Sequence, residues 1–254
     1  MNHDTLEIGN GYRVNIFADE HSGNPLEDWD REPPLLVFAL GNRGGADTFG
    51  DFPTIDELVA LVPESLWKRG TRVDTLERLG ITAEEFRFLD TDLTVPDRTV
   101  EILEERYQGA NTWNELEEYA DTLSTLCDLA DIPHERGKRY GYCQGDIISG
   151  ICIATPKWRE KVGAPEGCIS QCENTLDTYG WWAFGDTYGF EVVTPEGETL
   201  PGCWGFCGPD HDASGLLDEA KASTKHHREE AQRQRRQRAN VALFGKTSRT
   251  PVAV

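Results

Sequence analysis

The chain has 254 residues, a mass of 28.5 kDa and a formal charge of −20, with 38% hydrophobic and 28% charged residues. That is long enough to bury a core and too apolar for wholesale disorder, and no apolar run approaches the roughly 18 residues of a membrane-spanning helix. The acidic balance disfavours a general binder of nucleic acid or anionic membrane over the main surface, and residues 1–7, with Asp4 and Glu7 and no basic-plus-apolar run, predict no secretory signal.

The first strand signal is at residues 12–17, where Tyr12, Val14 and Ile16 alternate with Arg13, Asn15 and Phe17. A second, at 35–40, is continuously apolar and follows Pro33-Pro34. The polar stretch between them, 19–30, is too long for a tight hairpin. Helical signals follow. Thr54 with Glu57, Thr82 with Glu85 and Thr112 with Glu115 each fit a capping box ahead of apolar residues. Behind the third box, Leu116, Ala120, Leu123, Cys127 and Ala130 recur at spacings of three and four, and Glu117, Glu118, Asp121 and Asp128 take the opposite face. Pro133 marks its end. Strand signals return at 147–154 and 188–193, and 200–206 suits a hairpin partner across the turn at Pro195-Glu196-Gly197.

Charge divides the chain. Residues 1–220 hold 43 acidic and 16 basic side chains, whereas 221–254 hold nine Lys or Arg and two Glu. The stretch 208–215 reads as a linker. Residues 216–239 are rich in good helix formers but poor in apolar residues to bury. The expected organisation is an acidic α+β body over 1–215 and a basic helical or disordered tail over 216–254. Within the body, an antiparallel sheet of N- and C-terminal strands surrounds a helical middle.

Seven cysteines, none before Cys127, suit a reducing compartment. Cys168 with Cys172 and Cys203 with Cys207 supply four thiolates, the number a structural zinc takes. The segment 203–207 reads equally as a strand, however, and residues four apart there lie about 13 Å from each other. No cofactor is expected and zinc is disfavoured. A divalent cation at Asp19, Glu20, Asn24, Asp28 and Asp30 in the acidic loop 19–30, which also holds Glu27, is an open alternative. The loop departs from EF-hand spacing, and its acids equally suit local turns. No nucleophile elbow, P-loop or zincin motif occurs, so no catalytic residues are assigned. Tyr142, Gln144, Asp146 and Trp204 are pocket candidates. The aromatic stretch 179–188 reads as a core layer with turns.

The acidic surface is the strongest physical signal. Residues 101–131 hold nine acidic residues and one basic. Glu104, Glu105, Glu117, Glu118, Asp121 and Asp128 form the candidate negative face, on which carboxylates stand in for phosphates. The four on one helix span about 16.5 Å, against roughly ten charges on the same length of duplex DNA, so neighbouring elements must contribute. Arg233, Arg235, Arg236 and Arg238 in the tail are dense enough to contact nucleic acid or to dock on the acidic body.

Three segments carry a resemblance. They are Asn24-Pro25 with Trp29-Asp30; Tyr140-x-Tyr142-x-Gln144-Gly145-Asp146; and Asp186-x-Tyr188-Gly189-Phe190 with Cys203-Trp204-Gly205-Phe206-x-Gly208. Together they resemble an uncharacterised family of phage and plasmid proteins, some described as antirestriction proteins. The resemblance touches roughly residues 12–45 and 138–208 and brings no catalytic assignment. It implies an accessory protein of a mobile element acting inside a bacterial or archaeal cell; with the acidic surface, the expected role is to block a host DNA-binding or defence protein in the host cytoplasm. A small metal-dependent enzyme or metal-stabilised module, and a phage structural or assembly component, are the alternatives.

Overall fold

Alternation sets the first sheet. Along β2 (Tyr12–Ala18), Tyr12, Val14 and Ile16 are buried, while Arg13, Asn15 and Phe17 take the opposite face. β2 pairs antiparallel with β1 (Asn2–Gly9) through Asn10 and Gly11, both at positive φ. Asn-Gly is the sequence that a two-residue hairpin turn of that kind prefers. The other side of β2 pairs with β7 (Thr187–Val193), which pairs with β8 (Cys203–Cys207) as the expected hairpin. One face of this sheet is closed by α8 (Leu216–Phe244), which adds Leu216 and Ala220 to a core of Tyr12, Val14, Ile16, Phe190 and Val192.

The structure, a computed structural model, describes residues 2–27, 33–40, 46–88, 92–140, 147–162 and 167–244. The chain divides into two compact units, Met1–Ser22 with Asp186–Val254, and Gly23–Gly185. The fold is α+β, with antiparallel sheets and a C-terminal helix. The strand segments group into two sheets, not one. β3 (Leu35–Leu40) and β6 (Ile147–Ile153) pair with each other at the centre of the second sheet, flanked by β4 (Ala46–Phe49) and β5 (His134–Tyr140). Their continuous apolar runs fit a position covered on both faces. The charge boundary at 215/216 is one of composition; α8 belongs with the first sheet, in the smaller unit.

In the larger unit, helices cover both faces of the sheet. Ile151, Ile153 and Leu36 join a core with α1 (Ile55–Leu61), α4 (Val95–Tyr107) and α5 (Trp113–Leu129), which supply Leu58, Leu103, Leu123 and Leu126. The opposite face receives α7 (Cys168–Phe184), whose Leu176 sits against Gly150. Between α1 and α4 lie a 3₁₀ turn at Glu64–Trp67, α2 (Arg72–Arg78) and α3 (Ala83–Phe88); α6 (Pro156–Val162) precedes α7. The aromatic stretch at 179–188 is core as expected, with Tyr179, Trp182 and Tyr188 buried, but most of it is the last turns of α7, capped by Gly185 in the left-handed conformation. Among the described residues no helix is long and apolar enough to cross a membrane.

Gly137 and Gly150 face each other across β5 and β6. A Cβ on Gly150 would lie 2.7 Å from the Leu36 carbonyl oxygen and 2.9 Å from Val37 Cγ1, whereas the three atoms nearest to one on Gly137 all belong to the Leu176 side chain, the nearest at 3.0 Å. Gly150→Ala is therefore expected to cost about 1–3 kcal/mol in urea unfolding, the usual range for overpacking. Gly137→Ala should cost clearly less, because the Leu176 side chain can give way.

Candidate functional site

The two helices that carry the acidic segment are each opened by an acid used as a cap. In α4 the Thr94 hydroxyl accepts the Asp97 N–H and the Asp97 carboxylate accepts that of Thr94. In α5 Thr112 and Glu115 do the same, and Glu115 also accepts the Asn111 N–H. These backbone hydrogen bonds hold the Glu115 carboxyl below its ordinary range.

Beyond the caps, the acids sort by helical face. Thr99, Ile102 and Leu103 of α4 are buried, and Glu101, Glu104 and Glu105 share the exposed side. They line a groove of about 760 Å³ with Tyr107, Leu116 and Tyr119, and no Lys or Arg is among its described lining residues. Tyr107 and Tyr119 sit with ring centroids 5.1 Å apart. The Tyr107 hydroxyl is fixed by Thr122 Oγ1 at 2.8 Å and by donation to the Glu118 carbonyl at 3.2 Å. Burial raises the Tyr119 phenol above its usual range, and the charge of Glu104 raises it further.

Four of the six predicted acidic residues fall into two groups, and Glu117 and Asp128 belong to neither. Glu104 and Glu105 line the groove just described. Glu118 and Asp121 line a separate depression of about 500 Å³ that also contains Arg78 and Arg106. Asp121 accepts from Arg136 Nε at 2.9 Å, so its charge is compensated. Glu117 is half-buried, with its carbonyl oxygen 3.4 Å from Arg136 Nη2. Asp128 is exposed, 3.9 Å from His134 Nε2. His134 Nδ1 donates to the Ile132 carbonyl, so Nε2 of the neutral ring accepts from the Ser124 hydroxyl. Sequence reasoning missed Glu101 and the two tyrosines. The spacing of Glu101 with Glu104 and Glu105 was the available signal; the convergence of the tyrosines comes from how α4 meets α5.

The remaining candidates scatter. Asp19 ties its own backbone to Thr187, and its carboxylate accepts the His21 N–H at 3.3 Å. Glu20 is exposed, and Asn24 Oδ1 accepts the Leu26 N–H at 3.0 Å, a turn-forming use of the amide. Asp28, Asp30, Tyr142, Gln144 and Asp146 lie outside the described residues. Among the described residues no group of three or more His, Cys, Asp or Glu is placed to hold a metal ion. Cys168 and Cys172 are buried on α7 of the larger unit; Cys203 and Cys207 lie on β8 of the smaller one. Burial pushes the Cys127 thiol up to about 12, which makes it a packing group. Trp204 is 50% exposed and lies across Gly189, where an added Cβ would come within 2.1 Å of the ring. Arg233, Arg235, Arg236 and Arg238 are all exposed on α8.

No protein-family model, curated protein or solved structure matches this chain.

Two outcomes test the electrostatics of this surface. Arg136 is 14% exposed and also donates to Ser149 Oγ and to the carbonyls of Gly137 and Gly150. Arg136→Lys removes the fork and strands buried acceptors, so urea titration should show a loss of about 1–3 kcal/mol. Glu85 is bonded first to Thr82 and then to Arg106, and its carboxyl is lowered from 4.5 to about 2. A depressed carboxyl contributes stability that is present above its unfolded value and lost as pH falls through the folded one. E85Q should therefore be less stable than the parent at pH 7, with the gap in Tm closing as pH falls from about 4.5 to about 2.

Proposed function

We propose that this protein is a non-enzymatic accessory protein of a phage or plasmid that binds a host nucleic-acid-handling or defence protein through the acidic surface of its larger unit. One observation carries the reading. The groove between α4 and α5 is rimmed by Glu101, Glu104 and Glu105, walled by Tyr107 and Tyr119, and free of cationic lining among the described residues. Carboxylates beside half-buried aromatic rings that wall a groove suit arginine and lysine side chains, which gain ion pairing and cation–π attraction together.

The charge distribution supports the same reading. Residues 23–185 hold 31 acidic and 15 basic side chains, −16 of the total −20. Such a field speeds the approach of a basic protein and weakens with salt. The four carboxylates of α5 do not reproduce the charge density of a duplex, and Asp121 among them is compensated. The mimicry proposed here is therefore local: the groove captures cationic side chains that otherwise hold phosphates, and the surrounding acids supply the long-range attraction.

Purified protein should capture a basic DNA- or RNA-binding protein from host lysate at low salt and release it along a salt gradient. E104K/E105K should weaken the isolated complex at least tenfold with Tm unchanged, since both side chains are exposed. A complex indifferent to ionic strength, or a double variant that binds as the parent does, rules the mechanism out.

A further inference from the structure

Ala231 is the last residue of α8 with appreciable burial; from Gln232 through Val241 every side chain is exposed. The buried side of the helix, Leu216, Ala220, Thr224 and half-buried His227, simply stops there. His227 Nδ1 meets the Tyr12 hydroxyl at 3.0 Å, the last hydrogen bond from this helix to the sheet among the described residues. Residues 232–244 then continue for about 20 Å at 1.5 Å per residue. Their only ionisable side chains are Arg233, Arg235, Arg236 and Arg238. With successive residues about 100° apart, these four leave no gap wider than roughly 140° around the helix. The four, with Lys225 and Arg228 one to two turns earlier, form no ion pair among the described residues, although Glu229 and Glu230 are close in sequence. Lys225, Arg228 and Arg235 line a depression of about 450 Å³ beside Tyr12.

We infer that the free end of α8 is a DNA-binding element that enters the major groove of duplex DNA. This goes beyond the acidic-surface reading and does not depend on it. Three properties select the occupant. First, the charge is distributed around the whole circumference, which suits a ligand with anions on two walls; a protein surface would use one side only. Second, a helix with its side chains is about 10–12 Å across, and the major groove of B-DNA is about 12 Å wide. Third, residues 232–238 are all Gln or Arg and so lack an apolar face of the kind that seats a helix in a lipid interface. Within the smaller unit, repulsion between the acids and the free end of the helix falls off along its axis, because charges more than about 8 Å apart in water are largely screened at physiological salt. Arg238 lies about 10 Å along the axis beyond Ala231.

Fluorescence anisotropy of a labelled, random-sequence DNA duplex with the full-length chain tests this. Four phosphate contacts imply a slope of log K against log salt near −3.6, hence roughly a hundredfold loss of affinity between about 50 and 200 mM salt. R233Q/R235Q/R236Q/R238Q should abolish binding at the lower salt, with Tm unchanged because all four side chains are exposed. Absence of binding at the lower salt overturns the inference, as does a quadruple variant that binds like the parent. Tighter binding to an RNA duplex also overturns it, since the A-form major groove is too narrow for this helix. So does arginine-dependent self-association without DNA binding, which would make an acidic protein surface the true occupant.

Discussion

The Arg136 guanidinium joins sheet to helix in the larger unit. It leaves β5, spends one nitrogen on Asp121 of α5 and another on Ser149 Oγ and two strand carbonyls, and is almost fully enclosed. A charge so placed costs several kcal/mol unless its donors are matched, and here they are. The consequence is positional. With Asp121 clamped, α5 can neither rotate nor slide on the sheet without breaking that set. The faces presented by Glu117 and Glu118, and the seam where Tyr119 meets Tyr107, are set by the same clamp.

The acids of this chain do three different jobs that composition cannot distinguish. Glu57, Asp97 and Glu115 close helix N-termini, where they satisfy backbone donors and favour the positive end of the helix dipole. Asp121 and Glu85 are partners of arginines that brace neighbouring elements. Glu101, Glu104 and Glu105 have no such structural duty in the described structure and line open space. Only this last class adds freely to the field felt by a partner, so the surface is less uniformly negative than its residue count suggests.

Much of the architecture was legible because local and tertiary preferences agreed. The alternation in β2, the apolar runs of β3 and β6 and three Thr-x-x-Glu boxes each mark elements that formed. What escaped was polar or mixed. β1 and β5 are edge strands, so their sequences need no apolar continuity, and the Asn10-Gly11 turn was the sign of the first. The Thr94 box was hidden because Asp97 does the work expected of Glu. The helix α7 lay behind aromatic residues and Gly180, although Cys168, Cys172, Leu176, Tyr179 and Ala183 keep a helical period and are buried. At the site, the sequence located the acidic segment but not its division. That division depends on Arg136 and Arg106, which reach Asp121 and Glu85 from elsewhere in the chain.

The exposed end of α8 also makes the charge of this protein severable. A helix with no packed face opens at little free-energy cost, and an opened arginine cluster is a substrate for any trypsin-like protease. Cleavage after Arg233 would release residues 234–254, which carry five Lys or Arg and no Asp or Glu, and leave a formal charge of −25. Among the described residues neither sheet takes a strand from the lost piece, and the described core residues all precede it. A single peptide-bond cut would thus turn a molecule with two electrostatic characters into one with a single, stronger sign.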